Sequence, residues 1–258
     1  LSGKNLVELN QFKSALPHLE KAVQQQPDSF EAQFYLGLNL IRLNRSEDAI
    51  APFQKAVKIK PESALTFNHL GQTYQKLKMY PEAIFSYKKA TQIQPNFTEV
   101  YNHLGTLYTF QKNYEMAIKM FQGAVQSNQK FQSGYLNLGM IYEILGRHPE
   151  AIEQYNNILA LNPDHQKALL NLGWVMMDEN RFMEAIPPLK HAIDLNLENT
   201  DAHYTLGLVF GRLKRYQDAQ DQYQKVLQLD PNHTGAYEKM ALTEKAMKST
   251  TVSAQKNV

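Results

Sequence analysis

Hydrophobic and polar positions along this chain repeat every 34 residues. Gly3, Gly37, Gly71, Gly105, Gly139, Gly173 and Gly207 are evenly spaced, and so are Ala15, Ala49, Ala83, Ala117, Ala151, Ala185 and Ala219. Leu36, Leu70, Leu104, Leu138, Leu172 and Leu206 stand just before the glycines. A bulky residue follows each alanine by four: Leu19, Phe53, Tyr87, Phe121, Tyr155, Leu189 and Tyr223. Proline closes most units, at Pro27, Pro61, Pro95, Pro163 and Pro231. No insertion or deletion breaks the register. Such a period is the mark of a repeat architecture.

Within one unit the apolar positions predict two helices. Tyr101, Leu104, Gly105 and Tyr108 fall at i, i+3, i+4 and i+7, which is one helical face. A polar turn, Gln111 to Asn113, follows, and Ala117, Phe121 and Ala124 then line one face of a second helix. The glycine and alanines are placed where the two helices cross, and a side chain larger than methyl would force the backbones apart. The aromatics fill the wedge beside the crossing. Ser46 is expected to cap a second helix, and Pro81 and Pro149 to sit at first-turn positions where a missing N–H costs nothing.

The units place six complete repeats over 30–233, starting at Phe30, Ala64, Thr98, Gln132, Gln166 and Thr200. Residues 1–29 read as a partial repeat whose first helix is truncated, so a parent protein with more sequence upstream is expected. Residues 234–248 read as a capping helix, with Tyr237, Met240 and Ala241 inward and Glu238, Lys239, Lys245 and Lys248 outward. The small, polar stretch 249–258 is expected to be a disordered tail.

Composition narrows the functional classes. Lys and Arg number 27 against 25 Asp and Glu, a net charge of +2, which does not suit a phosphate-gripping surface. With no cysteine, disulfides, thiol nucleophiles and cysteine-based metal sites are excluded. No window reaches the run of about 18 apolar residues that a membrane span needs. No phosphate-binding glycine loop or helix-borne zinc motif is present. No catalytic, cofactor-binding or metal-binding residue is therefore assigned. His69 and His103 hold the same place in adjacent units and could meet, but a metal would need a further ligand.

The string Tyr135-Leu136-Asn137-Leu138-Gly139, through Tyr142, Ala151, Tyr155 and Pro163, resembles the tetratricopeptide repeat family, and the likeness runs to about residue 248. Departures are Ile158 and Val226 at a small-residue position, Gln129 and Leu197 in place of the closing proline, and Gln33 and His203 in place of the first bulky residue. The resemblance implies an all-α fold, a right-handed superhelical solenoid of helix-turn-helix repeats with first helices on the concave side. Counting the first residue of each repeat as position 1, it implies that positions 2, 5, 6, 9, 12 and 13 face a groove. Those positions supply Phe34, Tyr35, Leu38 and Arg42 early in the chain. Asn68, His69, Gln72, Asn102 and His103 follow, and then Asn137, Met140, Asn171, Trp174, Met177, Tyr204 and Leu208. Apolar anchors interleaved with amides suit a peptide or helix segment of another protein. Position 5 carries no basic residue, so the clamp by which cochaperone members hold acidic chaperone tails is missing.

The expectation is a protein–protein interaction scaffold or adaptor, with no nucleic acid partner and no membrane insertion. Two other readings stay open: the substrate-recruiting repeats of a larger enzyme such as an O-linked N-acetylglucosamine transferase, and a self-associating scaffold. The sequence leaves the compartment unassigned, with cytoplasm favoured over periplasm.

Overall fold

A computed structural model of the chain describes the backbone of residues 3–255 and the side chains of residues 3–248. Two compact units are delimited, Leu1–Gly134 and Tyr135–Val258. In the first, helices α1 (Gly3–Glu8) and α2 (Phe12–Gln25) are followed by the pairs α3 (Phe30–Arg42) and α4 (Ser46–Ile59), α5 (Ala64–Lys76) and α6 (Tyr80–Ile93), and α7 (Thr98–Phe110) and α8 (Tyr114–Ser127). The division falls inside α9 (Gln132–Ile144). The second unit continues with α10 (His148–Leu161), α11 (Gln166–Asp178), α12 (Phe182–Leu195), α13 (Thr200–Arg212), α14 (Tyr216–Leu229) and α15 (Thr234–Gln255). Among the described residues every element is helical. The fold is an all-α repeat solenoid. Within each unit a helix packs on the next in sequence, and successive first helices also touch, as α3 does α5 and α11 does α13.

The 34-residue period is a packing period. In the first unit Ala49, Phe53, Ala56, Ala83, Tyr87 and Ala90 have no exposed surface, and in the second Ala151, Tyr155, Ala185, Leu189 and Ala219 have none either. Each glycine of the Leu-Gly pair lies under the bulky residue of its partner helix. A methyl group built at Gly71 would sit 2.7 Å from the Tyr87 ring, and one at Gly105 would sit 2.5 Å from the Phe121 ring. The tolerance at this crossing is thus tighter than the sequence suggests, since even a methyl collides. The alanines one turn before the ring leave the space into which it leans. Ile158 and Val226, which replace small residues later in the second helix, are fully buried and accommodated.

The turn inside each repeat is a left-handed helix stop. Asn44, Lys78, Lys112 and Asn180 take positive φ of about 60°, as Gly146 does at 66°. The amide that follows each stop donates back across it, as Arg45 N–H does to the Leu40 carbonyl at 2.8 Å and Arg147 N–H to Tyr142 at 2.8 Å. This is the Schellman arrangement that closes helix C-termini. Ser46 proves not to be a cap. It is the first residue of α4, and its hydroxyl is buried without a hydrogen bond among the described residues. The start of the second helix is dressed instead by an arginine just outside it and an acid in its first turn, as in Arg45–Asp48, Arg147–Glu150, Arg181–Glu184 and Arg215–Asp218.

The turns between repeats explain the sequence departures. Asn128, Asn162, Asn196 and Asp230 each accept a backbone N–H two residues on, which holds the bend with or without the proline. Gln129 and Leu197 are tolerated for that reason. Gln33 and His203, polar at a position that is bulky elsewhere, reach back to this bend. Gln33 Nε2 donates to the Pro27 carbonyl at 2.8 Å, and the His203 ring meets the Leu197 carbonyl at 3.2 Å and Gln222 at 2.8 Å. The first helices are capped by Ser29, Ser63 and Asn199, and also by His165 and His233, whose Nδ1 atoms accept backbone N–H groups at 3.1 Å.

The last helix continues past Lys248 to Gln255, further than the sequence reading takes it. No glycine or proline interrupts 249–258, so nothing local stops it. The side chains of that stretch lie outside the described residues.

Candidate functional site

Seen from the residues upward, the first-helix face of each unit has a floor built by the second helices. In the first unit the rings of Phe53 and Tyr87, at position 24, carry the side chains at position 6 of the next repeat. His69 stacks on Phe53 with ring centres 5.9 Å apart, and His103 stacks on Tyr87 at 5.3 Å. At Tyr87 and Tyr155 the hydroxyl also binds the side chain at position 12 of its own repeat. Tyr87 donates to Gln75 Oε1 at 2.8 Å, and Tyr155 donates to Glu143 Oε1. Asn171 Nδ2 then donates to the Tyr155 hydroxyl at 3.2 Å. Buried hydroxyls thereby hold the polar side chains of the face in place.

In the first unit, Gln72 is the exposed centre of this face. It lies 3.2 Å from His103 Nε2 and is also hydrogen-bonded to His69. The two imidazoles thus share an amide between them, each lying on its own ring. Among the described residues no three His, Cys, Asp or Glu side chains gather as a metal would require. Burial holds both imidazoles below the usual histidine pKa, against smaller opposing effects of Gln72 at His69 and of Glu99 at His103. Asn102 is half-buried. Two candidates depart from the sequence reading. Asn68 is only 6% exposed and Phe34 only 8%. At these two places position 5 turns into the packing: Phe34 lies against Phe53 and His69, and the Asn68 Oδ1 finds no hydrogen bond among the described residues.

In the second unit, Trp174 is 43% exposed and Met140 38%. Asn137 and Asn171 are half-buried. Met177, Tyr204 and Leu208 are half-buried too, packed against the core of Leu189, Leu206 and Tyr223. These apolar residues therefore divide: Met140 and Trp174 present themselves, while Met177 and Leu208 chiefly support. Leu170, Asn171, Trp174, Asp201, Tyr204 and Thr205 line a cavity of about 240 Å³ between α11 and α13. Carboxylates gather at one end of the face. His148 Nδ1 meets Glu179 at 2.7 Å and its Nε2 meets Asp178 at 3.5 Å. Burial raises the Glu143 pKa, partly offset by the Tyr155 hydroxyl.

A further apolar site escaped the sequence reading. Val57, Phe67, Leu70, Tyr74, Pro81 and Phe85 line a cavity of about 520 Å³ between α4, α5 and α6. Phe85 is 61% exposed. Its signal was available: at that place in the other complete repeats stand Ala51, Lys119, Glu153, Pro187 and Asp221.

Sequence period and geometry together define a helical repeat solenoid. The pattern of the tetratricopeptide repeat matches residues 1–64, 64–97, 98–131, 133–165 and 200–233. The chain belongs to the tetratricopeptide repeat family. No curated protein sequence matches it. Among solved structures it is similar to YrrB, described as a TPR protein with an unusual peptide-binding site. The identity is 20% and the TM-score 0.65, with 72% of this chain and 96% of that one covered. It is similar to the C-terminal part of a TPR repeat-containing protein from Cytophaga hutchinsonii at 15% identity and TM-score 0.81, covering 92% and 98%. It is similar to MamA at 26% identity and TM-score 0.59, covering 63% and 95%.

Proposed function

We propose that the first-helix face of each unit binds a segment of a partner protein. The chain is a protein-interaction repeat scaffold by family, and we assign it no reaction. The observation that supports the reading most is the pinned floor. Buried Tyr87 and Tyr155 hydroxyls fix Gln75, Glu143 and Asn171 in advance, so ordering them on binding costs little. Fixed amides suit a peptide backbone, and the exposed Trp174 and Met140 suit its apolar side chains. Candidate contacts in the first unit are His69, Gln72, Asn102 and His103. In the second they are Asn137, Met140, Asn171, Trp174 and Tyr204, with Met177 and Leu208 behind them. YrrB supplies a precedent for peptide binding on this fold, though at 20% identity it speaks for the fold alone.

The test is a binding titration with the partner captured from the native source by the full chain. Trp174→Ala should weaken binding roughly thirtyfold, the loss of about 2 kcal/mol that a tryptophan hot spot carries. Its melting temperature should barely move, because the ring is largely outside the core. A large loss of stability with unchanged binding would overturn the assignment, as would loss of binding from Phe85→Ser with Trp174→Ala silent.

A further inference from the structure

The cavity between α11 and α13 has a particular chemistry. Leu170, Trp174 and Tyr204 give it apolar and aromatic walls, and Asp201, Asn171 and Thr205 give it a polar side. At about 240 Å³ it is below the range of about 300–1,000 Å³ usual for small-molecule sites, and of a size for one long side chain. Its polar groups are acceptors more than donors. Asn171 Nδ2 gives one N–H to the Tyr155 hydroxyl, which orients the amide, and its Oδ1 is an acceptor. The Thr205 hydroxyl donates to the Asp201 backbone carbonyl at 2.7 Å, so its oxygen can accept. The Asp201 carboxylate is exposed and engaged in no ion pair among the described residues.

The surroundings carry the same sign. Asp178 stands one helical turn beyond Trp174 on α11, close enough to Glu143 for the two carboxylates to influence each other. The adjoining trough, which shares Leu170 and Asp201 with the cavity, carries one cation, Lys167, against Asp201 and Glu198. An anion entering here would meet carboxylates and the negative face of the indole. A cation would meet three favourable elements: an aromatic face, a carboxylate and apolar walls for its methylene stem.

We propose that this cavity seats one cationic side chain, arginine or lysine, of the partner segment. This rests on the reading of the first-helix face as the binding surface and names the chemistry it selects in the second unit. The aliphatic stem lies along Leu170 and Tyr204, and the charged head lies between the Trp174 ring and the Asp201 carboxylate. A partner segment therefore carries a basic residue beside the apolar residues that meet Met140.

Trp174 is the single tryptophan of the chain, so intrinsic tryptophan fluorescence reports this cavity alone. The experiment titrates the full chain at low salt with N-acetyl-arginine methylamide and N-acetyl-lysine methylamide. N-acetyl-citrulline methylamide serves as the neutral isostere of the first. Both cationic probes should give a saturable change that salt weakens. Citrulline should bind about tenfold more weakly, and Asp201→Asn should erase the difference. No saturable change, equal affinity for arginine and citrulline, or an unchanged preference in Asp201→Asn would each overturn the proposal. Asp201 is exposed, so circular dichroism of the variant should match the wild type. Failure of the broader reading is distinguishable: the cationic probes would then bind at Trp174 while Trp174→Ala left partner binding intact. Failure of this proposal alone would leave the partner sensitive to Trp174→Ala and the probes indifferent to charge.

Discussion

Single residues in this chain carry strain that the repeat tolerates. Lys78, Lys112 and Lys214 occupy left-handed backbone positions, where a side chain with a Cβ costs about 1–2 kcal/mol and glycine costs little. Gly146 does the same job at the same place without that cost. Lys112→Gly should therefore raise stability by about 0.5–1 kcal/mol, the strain relieved less the chain entropy added to the unfolded state. Denaturant titration checks it, and a loss of stability would contradict the account. Asn39 is the second case. It has no exposed surface, and neither amide atom is hydrogen-bonded among the described residues. The equivalent residues Val175 and Val209 are buried just as deeply. Leaving a buried polar group unpaired costs about 1–3 kcal/mol, so Asn39→Val should stabilise by about 1 kcal/mol or more, read as a higher melting temperature. Neither feature was legible beforehand. The lysines look like ordinary turn residues, and Asn39 like any polar residue on a helix.

Between elements, the ring at position 24 does most of the work: it fixes the glycine opposite it and, at Phe53 and Tyr87, carries the position 6 side chain of the next repeat. That link makes stability depend on pH. His69 and His103 lie on Phe53 and Tyr87 and are held neutral by burial, so their folded pKa values are below the ordinary 6.5. Above about 6.5 both states are neutral and stability is full. As pH falls below that, the unfolded chain takes up protons first and stability is lost, at most about 1.4 kcal/mol per pH unit for each histidine. The drop in melting temperature between about pH 7.5 and 5.5 should shrink in His69→Gln/His103→Gln. An unchanged drop would contradict the burial argument. The sequence showed that the two histidines share an offset, but it could not show that each would lie flat on the preceding ring, because that depends on a rotamer set by a neighbouring repeat. The same limit hid the caps of His165 and His233 and misplaced Ser46 as a cap. Position 5 faces outward in the family pattern, whereas here the Asn68 and Phe34 side chains turn into the packing.

At the scale of the molecule, the period alone announced the fold. Only a sequence free of insertions can repeat Leu-Gly, Ala and a bulky residue in register, and the structure gives each a steric reason. What the repeat could not announce is the chemistry of its faces, since that lives in the residues that differ between repeats. Trp174, Met140, Asp201 and Phe85 are such residues, and the family pattern marks Trp174 and Met140 but gives no reason to look at Phe85. Asp201 stands at position 2, which the resemblance turns to the groove, but it gains meaning only beside Trp174 in a cavity.

The central claim is that the first-helix face of each unit binds a segment of the partner protein, and photocrosslinking tests it most directly. A benzophenone side chain would be placed singly at the exposed first-helix positions Gln72, Thr106 and Met140, and singly at the exposed second-helix positions Lys119, Glu153 and Lys190. With the full chain and its native partner, the account predicts that the first three positions trap one and the same protein and the second three do not. Trapping from Lys119, Glu153 and Lys190, with silence from Gln72, Thr106 and Met140, would contradict it.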